Sequence, residues 1–303
     1  MSFTHPVTRA PDDRFASLQG FGFAPHFVDD LQGFKGLRLH YLDEGPADAP
    51  RTFLCLHGNP SWSYLWRKMI PVFTASGARV VAPDLPGFGR SDQPLDDAVH
   101  TFHFHRDVLL AFLRQLDLKT VTLVCQDWGG ILGLTLPHAE PARFARLLVM
   151  NTTLATGDVA LPEGFQAWRA WSNAQADMDV PRLFARMAPM ASAEERAAYG
   201  APFPDRSHKA ALRRFPNMVP DSLDAEGAAV SREAREFWLN EWTGQTFMAI
   251  GMQDPVLGPA TMPGLQQIIR RCPPPLIVGE GGHMLPEWGE DIARAALKAF
   301  GDV

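Results

Sequence analysis

The chain has 303 residues, 46% of them hydrophobic, with a formal net charge of −6 and a pI near 5.9. That is enough to bury one sizeable domain, or one domain carrying an insertion, and it excludes a repeat array or a fibre. The acidic balance and the lack of any Lys/Arg cluster exclude a nucleic-acid partner, because phosphate binding needs a basic face.

Taken in chain order, the first stretch, MSFTHPVTRAPDDRF, lacks the basic segment and apolar run of a secretory leader. No run of about 18 uninterrupted apolar residues follows anywhere, so no membrane partner is expected. Short apolar runs then begin at Leu37 (LRLHYLD), Thr52 (TFLCLH), Ala78 (ARVVAP), Thr120 (TVTLVCQ), Arg146 (RLLVMN), Thr246 (TFMAIG) and Pro275 (PLIVG), and each is expected to be a buried strand. Helical patterns such as FHFHRDVLLAFLRQL and DIARAALKAF lie between most of them. The alternation predicts an α/β fold with a mostly parallel central sheet flanked by helices. Cys55, Cys125 and Cys272 are odd in number and widely spaced, which reads as reduced thiols and a cytoplasmic protein.

Between Asn151 and Thr246 the strand spacing breaks into helical patterns separated by Pro and Gly. Residues 155–226 are expected to form an inserted helical cap, and residues 1–154 and 227–303 the core. Ligands of open α/β sheets bind at the carboxyl ends of the strands, so a cap there closes over a site and excludes water.

Four strand ends carry chemistry. The stretch CQDWGG, Cys125 to Gly130, stands where a nucleophile elbow of the Gly-x-Ser-x-Gly type is expected, with Asp127 in the nucleophile's place. His57-Gly58-Asn59-Pro60 follows an earlier strand, at the position whose backbone supplies one oxyanion-hole N–H, here that of Asn59; Trp128, after the nucleophile, supplies the other. Asp254 follows a late strand and His283 the last one. Nucleophile, acid and His in that chain order form the triad this architecture predicts.

A carboxylate is ionised at neutral pH and needs no base to attack, so Asp127 suits displacement at a saturated carbon bearing a leaving group. The resulting alkyl ester is then hydrolysed by a water that His283 deprotonates, with Asp254 orienting the imidazole. The leaving anion needs donors in a dry pocket, and an indole N–H on an apolar ring meets that need. Trp128 adjoins the nucleophile. In the cap, Phe165 and Trp168 lie three residues apart on one helical face, with Trp171 a rival for the same role.

Through HYLDEG, FLCLHGNPSWSYLWRKMIPVF, ARVVAPDLPGFGRSD, LVCQDWGGILGLTLP, GFQAW, YGAPFPD, FPNMV, GQTFMAIGMQDPVLG and GGHMLPEWGE, the sequence resembles the haloalkane dehalogenases of the α/β-hydrolase superfamily over nearly its whole length. It is similar to the branch whose acid follows the later strand and whose second halide-binding Trp sits in the cap. The resemblance implies Asp127 as nucleophile, His283 as base, Asp254 as its partner and Trp128 with Trp168 as the halide clamp. It further implies that Phe165, Phe215, Pro216, Val219, Val256 and Leu257 line an apolar slot for a short haloalkane. Asn59 stands where that branch has an acidic residue and matches another branch in which the Asn side chain donates to the halide. The segment between Asn151 and Phe165 is short for the branch.

An epoxide hydrolase is the nearest alternative, but resembling enzymes use two cap tyrosines, and of Tyr41, Tyr64 and Tyr199 only one falls in the cap. A non-catalytic, ligand-binding descendant of the fold is a second alternative. His103, His105 and Asp107 in HFHRD lie on a helical pattern where residues two apart do not face each other, so no metal site is expected. PGFGRSD lacks the Lys-Ser/Thr of a phosphate loop. The expected partners are a small apolar halogenated substrate and water, with halide as product, no cofactor and a monomeric chain.

Overall fold

All seven apolar runs form strands, and an eighth, not anticipated, joins them at one edge. In the computed structural model, which describes residues 2–302, the strands are β1 (His26–Val28), β2 (Leu39–Glu44), β3 (Thr52–Leu56), β4 (Arg79–Pro83), β5 (Val121–Gln126), β6 (Phe144–Met150), β7 (Gln245–Gly251) and β8 (Leu276–Val278). Their order across the sheet is β8-β7-β6-β5-β3-β4-β2-β1. β1 and β2 run antiparallel to their neighbours and the remaining pairings are parallel. β1 escapes sequence reading because it has three residues, one of them His26, and no apolar alternation. A separate two-stranded pairing joins Val7–Thr8 to Gln93–Pro94.

The centre of the sheet is covered on both faces. All five residues of β3 and all six of β5 are buried, as the continuous apolar runs require of parallel strands between helical layers. Register aligns their ends: Leu56 pairs with Cys125, and Gln126 with Met150. The residues that follow these strands therefore emerge side by side along one edge.

No strand occurs among the described residues between β6 and β7. Helices Glu163–Asn173, Val180–Met187, Ala193–Tyr199 and Ala210–Arg214 occupy the span, followed by Ala228–Asn240. The third starts at a capping box, in which the Ser192 hydroxyl accepts from the Glu195 N–H and the Glu195 carboxylate accepts from the Ser192 N–H. Helix Ala228–Asn240 packs on Leu136–Ala139 of the sheet layer, and the Trp238 indole donates to the Leu134 carbonyl at 2.8 Å. It belongs with the layer over the sheet.

One close approach positions the site. The helix that starts at Trp128 passes so near β3 that a Cβ on Gly129 stands 1.8 Å from the Leu56 carbonyl oxygen, backbone against backbone. Gly129→Ala is therefore expected to lower stability by at least the ~1–3 kcal/mol of an overpacked interior. A urea midpoint unchanged from wild type is the contrary result.

Candidate active site

Asp127 sits on the turn between β5 and helix Trp128–Gly133 at φ 52° and ψ −126°, a conformation that costs a non-glycine residue roughly 1–3 kcal/mol. The strain is held by its neighbours. The Asp127 N–H donates to the Asn151 carbonyl at 3.0 Å, the Thr152 hydroxyl donates to the Asp127 carbonyl at 2.6 Å, and the N–H groups of Gly130 and Ile131 close on that same carbonyl. Cys125, in the first small position of the elbow, is a fully buried free thiol.

The carboxylate thus projected has two distinct oxygens. Oδ1 accepts from the Asn59 backbone N–H at 2.7 Å. Oδ2 lies 3.6 Å from His283 Nε2. The Trp128 N–H is the first of its helix and has no intrahelical acceptor. Of Asn59 and Trp128, expected as the two oxyanion donors, Asn59 already donates to the Asp127 carboxylate.

On the far side of the imidazole, His283 Nδ1 stands 2.9 Å from Asp254 Oδ2. That oxygen also accepts from Asn151 Nδ2 at 2.9 Å, while Oδ1 accepts from the N–H groups of Val256 and Leu257. Burial pushes the Asp254 carboxyl up, but His283 and those amides outweigh it and hold the group below the usual carboxylate range. For His283 burial works against the cation, yet Asp254 and Asp127 prevail and raise it to about 10. The three candidate triad residues, separated by up to 156 positions, are brought together as the sequence predicts.

Sequence reasoning missed the residues that hold this group. Asn151, at φ 23°, donates to Asp254 and accepts from the Gly251 N–H, so it ties the end of β6 to the end of β7. Gln126 donates to the His283 carbonyl at 2.9 Å. Both follow apolar runs directly. Their position at strand ends is the signal that was available.

A cavity of about 550 Å3 opens over Asp127 and His283. Asn59, Trp128, Phe165, Trp168, Trp171 and Val256 line it, with Leu183, Met187 and Pro189 from the second inserted helix and the turn after it. Among the described residues the Trp128 and Trp168 indole N–H groups, like those of Trp66, Trp171 and Trp288, have no protein acceptor, whereas those of Trp62, Trp238 and Trp242 each donate to an oxygen. Trp171 also lines the cavity, its ring stacked on that of Trp168 at 5.3 Å. The Asn59 side chain reaches the wall with its Oδ1 buried and unpartnered.

Four expected lining residues are corrected. Phe215 is fully buried behind the wall, its ring 4.8 Å from that of Trp128, because the turn Phe215–Asn217 packs down between the sheet layer and the inserted helices. Pro216, Val219 and Leu257 are likewise buried off the cavity surface, and Leu257 acts through its N–H on Asp254. Helix Glu163–Asn173, which carries Phe165 and Trp168, is instead brought close by Gly164, where a Cβ stands 1.9 Å from the Pro255 carbonyl oxygen.

No tyrosine lines the cavity. Tyr199 is fully buried and donates to Glu287, Tyr64 donates to the Gln19 carbonyl, and Tyr41 packs on Phe112. The paired donors of epoxide opening are therefore missing from the wall. On helix Phe102–Gln115, His105 is buried while His103 and Asp107 are exposed, so these three do not converge.

The strained strand-to-helix turn, the order of the strands and the inserted helices define an α/β hydrolase, and the family model described as the alpha/beta hydrolase fold matches residues 51–290. A haloalkane dehalogenase of Psychrobacter cryohalolentis is 42% identical, with 98% of each chain covered, and one of Mycobacterium marinum is 41% identical over 96% of this chain and 98% of that one. The solved tetrameric haloalkane dehalogenase DpaA of Paraglaciecola agarilytica superposes with a TM-score of 0.96 at 47% identity, covering 98% of this chain and all of the other. The chain belongs to the haloalkane dehalogenase family of α/β hydrolases.

The pH dependence follows from His283. Its folded pKa of about 10 lies above the ordinary histidine value of 6.5, so its contribution to stability is complete below pH 6.5 and is lost as pH rises toward 10. Urea unfolding across pH 6 to 10 should show that loss, and a smaller one in Asp127→Asn. Equal pH slopes in the two proteins would count against the Asp127–His283 interaction.

Proposed function

We propose that this protein hydrolyses haloalkanes to alcohol and halide in two steps at Asp127. Asp127 Oδ2 attacks the carbon bearing the halogen, the C–X bond breaks, and its electron pair leaves with the halide. His283 then takes a proton from water as the water oxygen adds to the Asp127 carboxyl carbon. The oxyanion forms on Oδ1 between the Asn59 and Trp128 N–H groups, each such donor being worth about 3 kcal/mol of barrier. Collapse breaks the bond from the carboxyl carbon to Oδ2, and the alkoxide takes the proton from His283 and leaves as the alcohol. The Asp127 carboxylic acid, now carrying the water oxygen, loses its remaining proton to solvent to restore the carboxylate, one proton being released per turnover. The observation that carries this reading is the split carboxylate, with Oδ1 held by Asn59 and Oδ2 turned to His283.

We assign the departing halide to the indoles of Trp128 and Trp168, each hydrogen bond contributing roughly 1.5–3 kcal/mol. The Asn59 side chain is a further donor to it. Residues 155–226 are the cap in this reading, and no cofactor or metal takes part. Esterification removes the negative charge of Asp127 beside His283, so the imidazole is a weaker acid trap in the intermediate and its neutral form becomes available as base.

The cavity of about 550 Å3 falls within the range of about 300–1,000 Å3 typical of small-molecule sites and accommodates the short haloalkanes expected from the sequence. As for assembly, the tetrameric state of the 47% identical relative favours association of copies over the expected monomer. Among the described residues no helix is long and apolar enough to cross a membrane, and the three free thiols support a reducing, cytoplasmic setting.

Halide release from bromo- and chloroalkanes between 1,2-dibromoethane and 1-bromohexane is expected from the wild type and not from Asp127→Ala. His283→Gln should retain the alkylation step and gain the mass of the alkyl group. Unchanged mass after incubation with a substrate that binds normally is the result that sinks the two-step scheme.

A further inference from the structure

A buried charge cluster outside the triad centres on Arg67. Its Nη1 donates to Glu287 Oε1 at 2.8 Å and its Nη2 to Glu287 Oε2 at 2.8 Å, a two-pronged bond, and Nη2 also donates to Glu195 Oε1 at 2.7 Å. Lys68 Nζ donates to Glu287 Oε2 at 2.8 Å, and the Tyr199 hydroxyl donates to Glu287 Oε1 while accepting from Arg67 at 3.2 Å. Arg67 and Glu287 are each 4% exposed and Tyr199 not at all. Burial pushes the Glu287 carboxyl up, but Arg67, Lys68 and Tyr199 outweigh it and keep it ionised.

These side chains come from three places. Arg67 and Lys68 end the 3-10 turn that follows the Asn59 loop, Glu195 and Tyr199 lie on the inserted helix Ala193–Tyr199, and Glu287 is four residues beyond His283. Upstream of His283 the chain reads Gly279-Glu280-Gly281-Gly282, which offers few side chains to restrain it. Downstream, Met284 to Glu287 are buried, the Leu285 N–H donates to the His283 carbonyl, and the Glu287 N–H donates to the Met284 carbonyl. The His283 loop is therefore held on one side by Gln126, Asn151, Gln253 and Asp254 and on the other by the Glu287 cluster. A buried ion pair adds little net stability over apolar packing, but its two-pronged bonds fix direction.

We propose that Arg67, Glu287, Glu195 and Tyr199 form a positioning latch that ties the inserted helices to the His283 loop, so that docking of those helices sets the imidazole for ester hydrolysis. None of the four touches the cavity. The proposal rests on the two-step reading above, because it assigns the latch to the second step alone: Asp127 attacks without a base, whereas water must be held by His283.

The test uses the full chain with 1,2-dibromoethane, rapid quenching and intact-protein mass, which read formation and decay of the ester separately. In Tyr199→Phe, in Glu195→Gln and in Arg67→Lys, ester decay should slow by about tenfold, equivalent to 1.4 kcal/mol of barrier, while its formation changes less than about twofold. The ester then accumulates. Equal slowing of both steps in parallel with a lower melting temperature, or no change in either, overturns the latch as a positioning device. His283→Gln run alongside separates the two ideas: no adduct there overturns the two-step reading itself, whereas an adduct there with an unaltered ester lifetime in the latch variants overturns the latch alone.

Discussion

Everything at the site depends on one strained turn. Asp127 leaves β5 at positive φ, and the helix behind it presses so closely on β3 that only hydrogen fits at Gly129. Together these lift the carboxylate out of the sheet edge and turn one oxygen toward the Asn59 N–H and the other toward His283. A relaxed turn would leave the same residues in the same order without a split carboxylate. The strain is sustained by the Asn151 carbonyl, which accepts from the Asp127 N–H, and by the Thr152 hydroxyl, which donates to the Asp127 carbonyl, so the segment just past β6 keeps the turn's geometry.

Electrostatics adds a second layer. A histidine between two carboxylates is held charged in the resting protein, a poor state for a base. In the proposed scheme, conversion of one carboxylate to a neutral ester relieves that, so the base is released by the first step of the reaction it serves in the second. The arrangement explains why a nucleophile that is itself charged and a buried histidine coexist 3.6 Å apart without conflict. It also explains why Asp254 is so heavily bonded: its charge must persist in both states.

The strand-end residues were legible because parallel strands in a buried sheet read as uninterrupted apolar runs, and whatever polar residue follows such a run stands at the sheet's edge. Asp127, Asp254, His283 and Asn59 were found that way. The pocket wall was read less well. Phe215, Pro216, Val219 and Leu257 are apolar and near the site, but whether an apolar side chain faces a cavity or the packing behind it depends on how a helix or turn is rotated, and local pattern does not carry that rotation. Val256 and Phe165, by contrast, are pinned beside the site by the Asp254 loop and by the contact at Gly164.

By itself the sequence determined the α/β architecture, the helical span between β6 and β7, and the placement of Asp127, Asp254 and His283 at strand ends, because each follows from local periodicity and from residue type at the end of a strand. Tertiary structure alone decided which oxygen of Asp127 is held, which tryptophans meet at the cavity, and how Asn151, Gln126 and Arg67 brace loops more than a hundred residues away. Those are long-range contacts between irregular segments. No repeat in the chain announces them, since their partners are set by the packing of distant elements.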